Sequence, residues 1–145
     1  AGDVDLFGSD HAPHRLEEKE RPPTEVAPGM PQLETALPSL LDAASRGRLS
    51  LPRIGELYAE RPARIHGLYP KKGTLQVGSD ADFVVIDPDA EWTVDPDAFE
   101  SAGEYSPFEG RTLTGRPVAT YQRGTEIATD MQATGEAGRG RLLER

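Results

Sequence analysis

Hydrophobic side chains recur three and four positions apart over residues 33–44, and Gly47 follows them. One face of an α-helix repeats at this spacing, and glycine commonly ends a helix because it accepts a positive φ. We therefore predict a helix over this stretch. Upstream, the apolar run VDLFGS at residues 4–9 favours a buried strand, whereas the four prolines and one glycine of residues 20–31 favour a long loop.

Two shorter helices are expected after this one. Ser50 has the side chain of an N-cap, which would begin a helix that runs through Tyr58. Pro62 has the fixed φ of a first helical turn, and Gly67 is placed to end the helix that Pro62 begins. The chain between the loop and Gly67 is therefore predicted to be mainly helical.

The periodicity changes from helical to two-fold at Tyr69, where glycines and prolines become frequent. Alternating apolar residues between turn residues indicate short strands joined by tight turns. We expect such strands in GTLQVGSDADFVVIDPD, EWTVD, TLTGRPVATYQRG and TEIATD, with a Gly-Ser-Asp turn in the first of these stretches. The final stretch, QATGEAGRGRLLER, lacks a core pattern and is predicted to be a flexible tail. The pattern thus predicts an α/β chain that ends in a small all-β unit.

Composition excludes several classes of protein. The 145 residues include no cysteine, so neither a disulfide framework nor a thiolate metal site is available. With 25 acidic and 16 basic residues, the formal net charge is −9, and such a surface repels nucleic acid and anionic membranes. No apolar run approaches the roughly 18 residues of a membrane span. We therefore expect a cytoplasmic protein without a nucleic-acid or membrane partner.

The candidate chemistry lies in the stretch FGSDHAPH at residues 7–14. Asp10 ends the predicted strand, and His14 follows four residues later. Barrel enzymes place catalytic groups at the C-terminal ends of their strands, where a carboxylate serves as metal ligand or general base. The spacing alone leaves a second interpretation open, in which Asp10 caps the segment that follows. His11 is interpreted as structural, because neighbouring side chains of an extended segment point to opposite faces.

Several segments, in order along the chain, resemble one family. They are SDHAPH…LEEK, PGMPQLETALPSLLDAASRGRLS, ERPARIHGLYPKKGTLQVGSDADFVVIDPDAEWTV and YSPFEGRTLTGRPVATYQRG, and they extend from the start of the chain to about Asp130. These segments resemble the C-terminal part of dihydroorotase, a cyclic amidohydrolase of the amidohydrolase superfamily of metal-dependent barrels. The resemblance implies the last βα unit of a TIM-like barrel, followed by a small, sandwich-like all-β domain.

The resemblance also implies roles for four residues. Asp10 matches the aspartate that ends the eighth barrel strand, where it binds one zinc and acts as general acid and base. His14 matches a histidine that helps to hold the carboxylate of the substrate. Pro28 and Gly29 match a loop pair whose backbone meets the substrate ring, where glycine allows close approach. The implied reaction is the reversible hydrolysis of dihydroorotate to N-carbamoyl-aspartate in pyrimidine biosynthesis.

The barrel that the resemblance implies is incomplete in this sequence. Such a barrel takes roughly 250 residues, and the family's His-x-His pair, carboxylated lysine and further histidine ligands have no match here. We expect residues 1–68 to be the C-terminal part of the barrel, residues 69–130 the small β domain and residues 131–145 the tail. A zinc site normally needs about three or four protein ligands, so the chain alone is expected to bind no zinc tightly and to be inactive.

Three hypotheses about function remain open. In the first, the chain is a C-terminal portion of a zinc dihydroorotase. In the second, it belongs to an allantoinase or a hydantoinase. In the third, it is a catalytically silent relative that serves as an assembly partner, for example of aspartate transcarbamoylase. His14 separates the first two hypotheses, because dihydroorotate needs a partner for its carboxylate and we do not expect the full DHAPH string in the second group. A homo-oligomer is also compatible with the sequence.

Overall fold

The computed structural model describes residues 2–143 of the chain. The helices are α1 Leu16–Lys19, α2 Leu33–Ser45, α3 Leu51–Gly55 and α4 Arg61–Ile65, with a π-helical turn Glu56–Glu60 between the last two. The strands are β1 Phe83–Thr93, β2 Thr112–Gln122, β3 Thr125–Thr129 and β4 Gln132–Ala133, and a 3₁₀ turn Pro96–Ala98 lies between β1 and β2. The strands form one antiparallel sheet in the order β1-β2-β3-β4. Within the described range, no helix is long and apolar enough to cross a membrane.

The helix predicted over residues 33–44 is confirmed as α2. Gly47 lies just beyond its end with a φ of +70°, which glycine adopts without the steric cost of a Cβ atom. The buried face of α2 packs on β2, where Leu41 is only 2% exposed. The amide of Thr114 in β2 donates a hydrogen bond of 3.2 Å to the Asp42 carboxylate of α2. Helix and sheet therefore share one apolar core.

The two shorter predicted helices are joined into one continuous helical segment. The hydroxyl of Ser50 accepts a hydrogen bond of 3.3 Å from the amide of Arg53, which confirms the predicted N-cap. The wider turn Glu56–Glu60 connects α3 to α4, and Pro62, which has no amide hydrogen to donate, follows it within α4. Gly67 has a φ of +71° just after α4, as expected for a residue that ends a helix.

The predicted strand over residues 4–9 is wrong. These residues belong to no strand, and a single parallel bridge between His11 and Met30 is the only β-type pairing nearby in the part of the chain described. A barrel strand is held by hydrogen bonds from parallel neighbours, and the described residues supply none beside this segment. The helical part holds it instead, because the amide of Phe7 donates to the carbonyl of Leu57 at 3.0 Å.

The β part agrees with the predicted strand pattern except at its start, but the described strands form a single sheet and not the sandwich-like domain that the resemblance implied. The Gly-Ser-Asp turn is present, with Ser79 N donating to the carbonyl of Gln76 at 3.1 Å. The short strand predicted before that turn is wrong: Leu75 is 72% exposed and unpaired in the described sheet, where β1 lies at the edge. The stretch EWTVD is not a separate strand, because its first three residues belong to β1.

Part of the segment expected to be a tail is paired with the sheet. Gln132–Ala133 forms β4, and the amides of Thr134 and Gly135 both donate to the carbonyl of Ile127 at 2.9 Å. Residues 136–143 contain no helix or strand. The division into barrel part, β domain and flexible tail stays a prediction. The first residue of the predicted barrel part and the last two residues of the predicted tail lie outside the described residues.

Candidate functional site

The residues predicted to form the site lie in two neighbouring segments, residues 10–14 and 28–30. The amide of Ala12 donates a hydrogen bond of 3.0 Å to the carbonyl of Met30. Gly29 has a φ of +111° and packs so closely that a Cβ atom at this position would lie 2.5 Å from the Cβ of Ala12. Glycine is therefore required here for both its backbone angle and its size. The fold thus brings the two predicted segments side by side.

Asp10 is exposed and has a positive φ of +49°. Few residues other than glycine adopt this conformation, although aspartate and asparagine do so more often than others. The interpretation of Asp10 as a cap is wrong, because the N-cap of α1 is Arg15 and that of α2 is Gln32. Asp10 directly precedes His11, whose backbone is bridged to Met30 next to Gly29.

His11 has the structural role that the sequence indicated. Its Nδ1 accepts hydrogen bonds from the amides of Gln32 at 2.9 Å and of Leu33 at 3.1 Å. These amides lie at the start of α2, where backbone N–H groups have no partner within the helix. The side chain of His11 therefore satisfies the helix terminus and connects it to the segment that carries Asp10.

His14 is half-buried and lies beside the one-turn helix α1. Its Nδ1 is 3.8 Å from the carboxylate of Glu18, which also accepts a hydrogen bond of 2.9 Å from the amide of Arg15. The carbonyl of His14 packs closely on Gly103, where an added Cβ would lie 3.3 Å from that oxygen. A loop between β1 and β2 therefore reaches the segment that carries His14.

Two residues that the sequence analysis did not single out hold the loop at Gly29. The Nζ of Lys19 donates to the carbonyl of Ala27 at 2.6 Å and also to the carbonyl of Gly29. The hydroxyl of Tyr105 donates to the same Gly29 carbonyl at 3.3 Å. The only sequence signal for Lys19 and Tyr105 was that they lie in the segments LEEK and YSPF, which carry the family resemblance. A contact between residues 76 positions apart has no local pattern.

The β1–β2 loop is anchored near the site by a second contact. The amide and the hydroxyl of Ser101 both donate to the carboxylate of Glu34 in the first turn of α2, at 2.9 Å and 2.7 Å. His11 binds the same end of α2. The start of this helix therefore connects the β1–β2 loop to the segment at residues 10–14. The candidate site is therefore built from both the helical part and the β part.

The described residues do not form a complete metal centre. Among residues 2–143 no group of three or more histidine, cysteine, aspartate and glutamate side chains could hold a metal ion. Zinc sites in proteins usually have three or four protein ligands, and Asp10 is the one residue that the resemblance assigns as a ligand. The donor set of the described residues therefore does not fit zinc by itself.

Comparison with known proteins gives consistent matches along nearly the whole chain. The sequence model of the Amidohydrolase family matches residues 1–127. An L-hydantoinase from Paenarthrobacter aurescens is 44% identical over 99% of this chain and 32% of its own length. A dihydroorotase from Methanothermobacter thermautotrophicus is 43% identical over 97% of this chain and likewise 32% of its own length.

Solved structures agree with these sequence matches. The structure of an L-hydantoinase (dihydropyrimidinase) from Arthrobacter aurescens superposes with a TM-score of 0.93 at 44% identity, covering 98% of this chain and 32% of that chain. The chain thus spans about a third of the length of the relatives that it matches.

Proposed function

The chain belongs to the amidohydrolase family, and on that premise we propose that it is the C-terminal part of an enzyme that hydrolyses the ring amide of a cyclic ureide. The observation that carries the proposal is the pairing of the segment at residues 10–14 with the loop at residues 28–30. These two paired segments carry an exposed carboxylate, a half-buried histidine and a closely packed glycine. An L-hydantoinase and a dihydroorotase match 99% and 97% of the chain.

Asp10 is proposed as the general acid and base. Hydrolysis adds water to a ring carbonyl and breaks the ring C–N bond, so one proton must move from the attacking water to the leaving nitrogen. A carboxylate that accepts this proton and returns it to the nitrogen is unchanged at the end of the cycle. The exposed position of Asp10 beside the loop at Gly29 suits this shuttle.

Asp10 is also proposed to bind one zinc ion, which in this family would polarise the ring carbonyl. The described residues do not supply the other ligands, so we derive no catalytic step that involves the metal. A cytoplasmic location and assembly with a second copy, both expectations from the sequence, are parts of the same proposal. Assembly with aspartate transcarbamoylase is a further part and rests on the resemblance to dihydroorotase.

Dihydroorotate is one candidate substrate, and His14 supports it. This ring carries a carboxylate, for which a half-buried histidine on the segment paired with the loop is a suitable hydrogen-bond donor. Pro28 and Gly29 are proposed to meet the ring through their backbone, since both are exposed and Gly29 has no side chain to hinder approach.

A hydantoin is the second candidate substrate. It is favoured by the L-hydantoinase relative and by the superposition on an L-hydantoinase structure, which match this chain as well as the dihydroorotase does. Hydantoins share the ring amide but need no carboxylate partner. The two candidates therefore differ in what they require of His14.

The experiment inserts this chain into two hosts. In one chimera it replaces the aligned stretch of the Paenarthrobacter aurescens L-hydantoinase, and in the other that of the Methanothermobacter thermautotrophicus dihydroorotase. Each folded chimera is assayed with hydantoin, dihydroorotate and dihydrouracil, which is the dihydroorotate ring without its carboxylate. We expect ring hydrolysis in both hosts, and we expect Asp10→Asn to lower kcat by about 10²–10⁴-fold.

His14→Ala separates the two candidate substrates. Loss of a hydrogen bond to a charged group, roughly 1.5–3 kcal/mol, corresponds to about tenfold to a hundredfold in kcat/KM for dihydroorotate, while dihydrouracil should be nearly unaffected. His66→Ala, at an exposed histidine beyond α4, is the matched control. Equal losses on the two rings would remove the support for dihydroorotate and leave hydantoin as the candidate. Folded chimeras that hydrolyse none of the three rings would refute the proposed function.

A further inference from the structure

The carbonyl of Gly29 is held from two sides by side chains that approach from different parts of the fold. The ammonium group of Lys19 in α1 donates to it and also to the carbonyl of Ala27 at 2.6 Å. The hydroxyl of Tyr105, from the loop between β1 and β2, donates to it at 3.3 Å. The Nζ of Lys19 lies 5.7 Å from the centre of the Tyr105 ring, so the two side chains form one cluster.

This cluster holds a segment that has little secondary structure of its own. Residues 20–31 contain four prolines and one glycine and form neither a helix nor a strand of the sheet. Loops of this kind are usually more mobile than the elements they connect, because few of their backbone groups are paired. A charged donor makes stronger hydrogen bonds than a neutral one. Lys19 is therefore well suited to fix two carbonyls of this loop.

The helix α1 also connects this loop to His14. Glu18 lies 3.8 Å from the Nδ1 of His14, and the next residue, Lys19, binds the loop. Successive side chains on a helix point about 100° apart, since a turn takes 3.6 residues. Glu18 and Lys19 can therefore contact His14 and the loop, respectively. A shift of α1 would move His14 and the loop together.

We propose that Lys19 and Tyr105 are positioning residues that set the place of the loop at Ala27–Gly29 and so determine how tightly a ring substrate binds. The inference rests on the proposed function, because it takes the backbone of this loop as the surface that meets the ring. The side chains act through the loop backbone and need not touch the substrate.

The test uses three variants of the full 145-residue chain and of the two chimeras. Lys19→Met removes the donor at nearly constant length, Lys19→Arg keeps donors at the same place, and Tyr105→Phe removes a single hydroxyl. Lys71→Met is the matched control, since Lys71 is exposed and its side chain forms no hydrogen bond within residues 2–143. Hydrogen exchange of the full chain, followed at the Ala12 amide that bonds to Met30, reports the position of the loop without any need for activity.

We expect Lys19→Met to speed exchange at Ala12 by about tenfold, because the loop loses two bonds from a charged donor. In the chimeras the same variant should raise KM by about tenfold and change kcat much less, since substrate positioning and not the proton shuttle is affected. Lys19→Arg should restore both values towards those of the unmodified chain, and Tyr105→Phe should produce a smaller change in the same direction. Lys71→Met should change neither measurement.

Unchanged exchange at Ala12 in both Lys19→Met and Tyr105→Phe would overturn the inference. Faster exchange with an unchanged KM would overturn it too, because the loop would then not meet the ring, while the hydrolase function would stand. If Lys19→Met raises exchange throughout β2 as well, the variant is unfolded, and Tyr105→Phe decides the question. If the chimeras without any substitution are inactive, the proposed function itself is refuted. If they are active but Lys19→Met changes neither exchange nor KM, only the positioning role is refuted.

Discussion

At the residue scale, the carboxylate of Asp42 is the clearest case of a side chain whose chemistry follows from tertiary contacts. The residue is 8% exposed. Burial by itself raises the pKa of Asp42, but the hydrogen bonds from Arg46 at 3.0 Å and from the amide of Thr114 at 3.2 Å outweigh this effect. The positive charge of Arg111 acts in the same direction. The net result is a pKa below the ordinary value of 3.8.

A lowered pKa makes the contribution of Asp42 to stability depend on pH. The ionised carboxylate stabilises the fold above its unfolded-state pKa of about 3.8, and this contribution is lost as the pH falls through the lower folded-state pKa. We expect Asp42→Ala to lower the free energy of unfolding at pH 7 by about 1–3 kcal/mol, because the Thr114 amide loses its partner. Urea denaturation between pH 7 and pH 2 measures both the loss and its decrease at acid pH.

Two further variants isolate the charge of Asp42. Asp42→Asn keeps an acceptor for the Thr114 amide but loses the charge that pairs with Arg46, so it should cost less than Asp42→Ala. Asp89→Asn, at an exposed aspartate, should leave the stability nearly unchanged. A cost of Asp42→Asn that stays constant down to pH 2 would show that the charge of Asp42 does not stabilise the fold.

At the element scale, the contact between α2 and β2 depends on a glycine in the strand. Gly115 has a φ of +93°, and a Cβ atom there would lie 2.6 Å from the Cβ of Leu41. Gly47, beyond the end of α2, has a φ of +70°, but a Cβ atom added there would have no non-neighbouring atom within 4 Å. Both glycines therefore have a positive φ that disfavours other residues, but only at Gly115 would a side chain also collide with a neighbour.

This difference predicts unequal costs for the same substitution. Gly47→Ala should lower the free energy of unfolding by about 1–2 kcal/mol through its backbone angle alone. Gly115→Ala adds overpacking of about 1–3 kcal/mol, because Leu41 must move away from the strand. Thermal and urea unfolding of the two variants provide the comparison. Equal losses would mean that α2 shifts without cost and that its packing on β2 is loose.

At the scale of the whole molecule, the chain corresponds to about a third of the length of its relatives, and residues 2–143 do not supply a complete donor set for zinc. Equilibrium dialysis of the 145-residue chain against zinc should therefore show no tight stoichiometric site. The folded chimeras should bind zinc, and Asp10→Asn should weaken that binding. Tight binding of one zinc by the chain alone would mean that its own residues complete the site, contrary to the arrangement described above.

Much of the local structure could be predicted from the sequence because its signals are local. The apolar repeat of α2, the glycine after it and the cap at Ser50 depend on residues a few positions apart, and all three are confirmed. The strand predicted over residues 4–9 failed because a strand is stabilised by neighbours that the sequence pattern does not contain. The joining of two short predicted helices through a π-helical turn likewise had no separate signal.

For the candidate site, the sequence by itself identified the candidate residues: Asp10 and His14 in one motif, and the Pro28–Gly29 pair in a loop. Only the tertiary structure decided what surrounds them. The bond from Tyr105 to Gly29 joins residues 76 positions apart, and that from Thr114 to Asp42 joins residues 72 positions apart. Periodicity and turn propensity express the preferences of a chain over a few residues, whereas contacts of this length exist only once α2 has packed on the sheet and brought the loops together.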